Sequence, residues 1–113
     1  MFGSNFSGVV IVIKYALFVR LEAKPGKEGD VEKFLEAGLA MAREETTTPI
    51  WFALRLSPTT FGVFDSFYDE ASRQAHLKGP IAQALIASAP DLLAAPPSIE
   101  PVEVLGLKNI GAE

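Results

Sequence analysis

A chain of 113 residues is one domain, long enough to bury a core but near the small end of the range. No cysteine is present, which excludes disulfides, thiolate nucleophiles and Cys-based metal sites, and fits a reducing cytoplasm. The single histidine excludes a His-rich metal centre, and the net charge of −4, with basic residues that form no patch, argues against nucleic acid as a partner.

The apolar content, 49%, is high for so short a chain, so some apolar side chains must reach the outside. The longest apolar run is interrupted by Lys14 and Arg20, well short of the roughly 18 residues a spanning helix needs. A membrane partner is therefore not expected, and an apolar subunit interface accounts better for the composition. Residues 1–13 read as an extension. It is loop-like at first, lacks a basic start and has too short an apolar stretch for a signal peptide. The domain proper is expected over 14–108, with 109–113 as a tail.

Residues 15–23 (YALFVRLEA) alternate as a strand, with Tyr15, Leu17, Val19 and Leu21 on one wholly apolar face, and 9–13 could extend it backwards. Lys24-Pro25-Gly26 stops it. A helix follows over about 27–43, where Val31, Phe34, Leu35, Gly38, Leu39 and Ala42 form one stripe. Gly38 in that stripe points to close packing against the sheet. The polar connection 44–49 (EETTTP) follows, and its Glu44 and Glu45, like Asp69 and Glu70 further on, read as solvated helix-end carboxylates.

The second strand, 50–56, places Ile50, Phe52, Leu54 and Leu56 opposite Trp51, Ala53 and Arg55. Ser57-Pro58-Thr59-Thr60 turns into the third strand, 61–68, where Phe61, Val63, Asp65 and Phe67 share a face. Asp69 or Ser72 caps a helix to about Lys78. Gly79-Pro80 interrupts it, a second segment runs over 81–87, and Pro90 is expected to break the pattern before one further turn at 91–94. The last strand is expected over 98–108, with Pro101 confining its start to an edge.

The order β–α–β–β–α–β predicts the α+β, ferredoxin-like plait: one four-stranded antiparallel sheet with helices on one face. Its uncovered face carries apolar side chains, which predicts a homodimer forming a dimeric α/β barrel.

Four residues carry chemical interest. His76 either lines a space between helix and sheet as a proton acceptor, or caps a carbonyl where its helix stops at Gly79, the more frequent role. Trp51 is either ordinary packing or an aromatic wall for a flat ligand. Asp65, mid-strand among aromatic residues, needs a partner, and Arg55 or Arg20 is the expected one. Arg73 reads as solvated or ion-paired, or as a grip on an oxygen-rich substrate. No serine sits in a nucleophile elbow, and no phosphate loop or dinucleotide fingerprint is present.

The run YALFVRLEA followed by KPGKEGDVEKFLEA resembles the opening of antibiotic biosynthesis monooxygenase domains. FGVFDSFYDEASRQAHLKGP resembles their third strand and second helix, and VLGLK their closing strand. The resemblance spans about 14–108. It implies a dimeric barrel and oxidation of a small aromatic or quinol-type compound by molecular oxygen without a metal, flavin or haem. It implies His76 as the catalytic group, Trp51 and Phe67 as walls for the ring, and Arg73 or Asp65 as grips on polar groups. Where the family carries an acidic-Pro-Gly turn, this chain has REETTTP, and its first strand lacks the Asn of haem-degrading relatives. The alternative is a non-catalytic barrel binding a small apolar ligand.

Overall fold

A computed structural model describes residues 12–108. The expected extension up to residue 11 and the tail from 109 lie outside the described residues. Four strands, β1 (Tyr15–Glu22), β2 (Ile50–Arg55), β3 (Thr60–Phe67) and β4 (Ser98–Glu103), form one antiparallel sheet in the order β2-β3-β1-β4. Three helices accompany them: α1 (Glu28–Ala42), α2 (Glu70–Leu77) and α3 (Pro80–Leu92). This is the expected plait, with its second helix delivered in two pieces.

Local chemistry explains the joints. Pro25 and Gly26 turn the chain out of β1, and Gly26 takes φ +84, a conformation only glycine adopts freely. The β2–β3 hairpin closes through Ser57, whose Oγ accepts the Thr59 and Thr60 amides. Asp69 caps α2 by accepting the Ser72 amide, and Pro80 opens α3, where a missing N–H costs nothing.

Two expected boundaries differ. Pro90 does not break α3, which runs on to Leu92. The ring removes only the ladder bond to Ile86, close to the helix end, while Lys24 Nζ donates to the Pro90 carbonyl and Leu93 still bonds Ala89. The last strand ends at Glu103 rather than 108, and residues 12–14 are not strand, so β1 gains no extension there. Pro101 sits within β4, tolerated because β4 is an edge.

The register fixes the faces. Leu17 and Asp65 pair across β1 and β3, and Trp51 and Asp65 across β2 and β3, so all three lie on the helix side. That side holds the core of Leu21, Val31, Leu35, Phe61, Val63 and Leu93. The opposite side carries Phe18, Ile50, Phe52, Leu54 and Phe64. Phe52 there is 55% exposed, which would be unusual for a face meant only for water.

Candidate functional site

Between the sheet and the helix layer lies a cavity of about 50 Å³. Its wall is almost entirely apolar: Leu17, Val19 and Val63 from the sheet, Phe34 and Gly38 from α1, and Ile81 and Leu85 from α3. Three of its lining residues carry polar side-chain atoms, namely Trp51, Asp65 and His76. Ile99 of β4 also lines it and is 44% exposed, so the cavity approaches solvent at the β4 edge.

Each of the three arrives for a sequence reason. Alternation along β2 and β3 turns Trp51 and Asp65 inward side by side. Gly38 admits the indole: a Cβ there would stand 3.4 Å from two Trp51 ring carbons. This is the close packing that Gly38 predicts. His76 lies one turn before the Gly79-Pro80 break, on the inward side of α2, and its ring centroid is 5.2 Å from that of Phe67.

His76 is held between two carboxylates. Its Nε2 lies 3.0 Å from Asp65 Oδ2 and its Nδ1 3.1 Å from Glu45 Oε1. The Glu45 oxygen also accepts the Thr48 hydroxyl at 2.7 Å. The imidazole side chain is 9% exposed and that of Asp65 2%, whereas that of Glu45 retains 23%. The three groups therefore form a chain from the cavity wall towards solvent. The frequent capping role is not what the His76 ring does here; it is the backbone carbonyl of His76 that bonds Gly79.

Burial works against the imidazolium, but the two flanking carboxylates outweigh it and raise the His76 pKa above its usual 6.5. Burial also raises the pKa of Asp65, against the lowering effect of the His76 hydrogen bond and charge. Two consequences have the same sign. Because the folded His76 pKa lies above the unfolded one, its stabilisation is complete below about pH 6.5 and fades as pH rises through the folded value. Ionised Asp65 also costs more folded than unfolded, so its contribution falls as pH rises above the ordinary carboxylate range. The urea midpoint of the wild type is expected to drop between pH 6 and pH 9. A midpoint that rises over this range would contradict the sandwich.

Two buried polar atoms at this cavity have no hydrogen-bond partner among the described residues: Trp51 Nε1, a donor, and Asp65 Oδ1, an acceptor. Native interiors leave few such atoms, so each calls for an explanation: strain, a bound water or a role in chemistry.

The expected ion pair of Asp65 with Arg55 or Arg20 does not form. Alternation sends Arg20 to the opposite face, opposite Gly62. Arg55 lies four residues along β2 from Trp51, the neighbour of Asp65; it binds Glu32 at 2.6 Å and stacks on Phe61. Arg73 lies outside the cavity. It binds Glu70 and the carbonyls of Ala16 and Val102, and its guanidinium sits 5.3 Å from the Tyr15 ring. Phe67, fully buried, packs behind His76 and does not line the cavity. The residue missed from sequence is Glu45, read as solvated but folded onto His76.

No protein-family profile matches the chain, and no curated protein matches it. Solved structures do. The crystal structure of NE2512 from Nitrosomonas europaea, a protein of unknown function, is 56% identical, with 88% of this chain and 97% of that one covered and a TM-score of 0.85. The chain belongs to the NE2512 family. At low identity the same fold recurs in proteins named as candidate antibiotic biosynthesis monooxygenases. One from Nitrosomonas europaea is 16% identical over 81% of this chain and 90% of its own, with TM-score 0.73. One from Chloroflexus aurantiacus is 22% identical over 87% and 99%, with TM-score 0.66. The NE2512-family chain thus has the antibiotic biosynthesis monooxygenase-like fold that its sequence resembles. No helix among its described residues is long and apolar enough to cross a membrane, and no cluster of three or more His, Asp or Glu side chains there is set to hold a metal ion.

Proposed function

We propose that this protein is a cofactor-independent monooxygenase acting on a small aromatic compound of the quinol or anthrone type. The observation that carries the reading is the buried Asp65–His76 pair, which with Trp51 lines an otherwise apolar cavity. Such a site strips a proton from a weakly acidic hydroxyl while excluding water from the ring. The resulting anion is electron-rich enough to be the reductant itself. It gives one electron to molecular oxygen, the radical and superoxide join at carbon, and the hydroperoxide loses water. One oxygen atom ends in a new ring carbonyl and the other in water.

The cavity is well below the roughly 150 Å³ of an apolar cavity that takes up benzene. The wall able to yield is α2, which buries none of its residues fully. Ligand entry would therefore part α2 and α3 from the β4 edge near Ile99.

Oxygen uptake measured across a panel of quinols and anthrones tests the reading. Uptake with stoichiometric quinone formation is expected for at least one of them. Tight binding without uptake would instead support a non-catalytic barrel that holds an apolar ligand, and no uptake from a folded protein would overturn the enzyme reading for these compounds.

The same reading takes the protein as a homodimer in a reducing cytoplasm. Two copies would meet through the open face of Phe18, Phe52, Phe64 and Leu54, which no helix among the described residues covers. Light scattering is expected to return twice the chain mass, and a stable monomer would contradict it.

A further inference from the structure

Resting on that reading of the cavity, we propose that Trp51 and Asp65 clasp one ionisable hydroxyl oxygen of the ligand, and that the chain Asp65–His76–Glu45 carries its proton out to solvent. This makes Asp65, not His76, the catalytic residue, and gives Glu45 a function.

The geometry requires this division. Both ring nitrogens of His76 already face carboxylate oxygens, at 3.0 and 3.1 Å, so neither is free to meet a ligand. Asp65 uses only Oδ2 on His76. Its Oδ1 is buried, unpartnered among the described residues, and belongs to a residue that is 1% exposed. Directly across the β2–β3 ladder stands Trp51, whose Nε1 is a second such atom; the third, Ser66 Oγ, belongs to the opposite face of the sheet. An open acceptor and an open donor, carried by cross-strand neighbours, match a hydroxyl. The O–H donates to Asp65, and the oxygen accepts from the indole. Once the proton has moved, the indole N–H remains aimed at the oxygen that bears the new negative charge. A ketone or an ether satisfies only the indole, and a hydrocarbon satisfies neither. The site therefore selects phenols and enols.

The proton balance closes. The ligand O–H bond breaks and a new one forms at Asp65 Oδ1. His76, an imidazolium between two carboxylates, releases its Nδ1 proton to Glu45, which hands it to solvent. One proton enters the chain and one leaves. Among the groups around the ring, β3 presents Asp65 and the α1–β2 connection presents Glu45. Arg73 on α2 is turned to Glu70 and two carbonyls, while α1 and α3 contribute only apolar lining.

The full-length protein with 4-nitrophenol tests the clasp, because the phenolate band reports ionisation without any oxidation. Bound to the wild type, the phenol is expected to ionise at a lower pH than it does free. Asp65→Asn should abolish that shift, and Glu45→Gln should leave binding intact but cut the phenolate fraction at pH 7 about tenfold. The single histidine gives one assignable imidazole signal by NMR, and its apparent pKa should fall in both variants without ligand present. Failure of nitrophenol to bind, an unshifted ionisation in the wild type, or a Glu45→Gln protein identical to wild type in both readouts would overturn the proposal. Phenol ionisation without oxygen uptake on any substrate would leave the clasp standing and retire the monooxygenase reading.

Discussion

Replacing His76 by Leu is expected to destabilise the fold by about 3 kcal/mol at pH 7, while replacing His76 and Asp65 together by Leu should cost about 1 kcal/mol or less. The single change strands a carboxylate that is 1% exposed among Phe67, Trp51 and the apolar lining. Neither Arg55, committed to Glu32, nor Arg73, committed to Glu70, stands ready to replace the imidazole. The double change removes the stranded charge along with its partner and leaves leucines facing an apolar cavity. Glu45 does not suffer the same fate, since it keeps solvent contact and the Thr48 hydroxyl. The penalty of the single variant should shrink in mild acid, where burial keeps Asp65 protonated. Urea denaturation of the three proteins checks this. A double variant as unstable as the single one would mean that His76 contributes packing and not charge compensation.

Along this chain the strands carry the most legible information. Alternation along 50–56 and 61–68 was sufficient to set Trp51 on one face with Ala53 and Arg55, because a strand has only two faces; which face turns inward was settled only by the helices that cover it. The same alternation placed Asp65 with Phe61, Val63 and Phe67. Its true partner was not legible from it. That partner comes from α2, whose rotation over the sheet depends on the Asp69 cap and the Gly79-Pro80 break acting together.

Glu45 was harder still. A Glu at the end of a helix reads as solvated, and only the path of the REETTTP connection brings it to His76. The one available signal was Thr48, three residues on, whose hydroxyl fixes the Glu45 carboxylate. Arg73 takes the ion-paired role expected for it, with Glu70. It shares nearly one helix face with His76 but stands almost a turn nearer the start of α2, where it reaches the Ala16 and Val102 carbonyls beyond the cavity. Pro90 shows that a breaker near a helix end deletes one bond and need not end the helix.

The second large effect concerns chemistry. If Asp65 takes the substrate proton, Asp65→Asn keeps the shape of the side chain and the hydrogen bond to His76 but removes the base. Loss of a positioned base lowers rates by about 10²- to 10⁴-fold. His76→Gln should lower the rate less, because the Asp65 carboxylate remains and only its outlet is impaired. Trp51→Phe should raise KM and lower kcat together, since the indole N–H holds the oxygen both before and after ionisation.

Oxygen consumption by wild type and Asp65→Asn on the best substrate of the quinol and anthrone panel, with folding verified by circular dichroism, decides whether Asp65 takes the substrate proton. The rate of Asp65→Asn is expected to lie at least about 100-fold below wild type. Equal rates for the two proteins would show that the buried Asp65–His76 pair holds the fold together and takes no part in the chemistry.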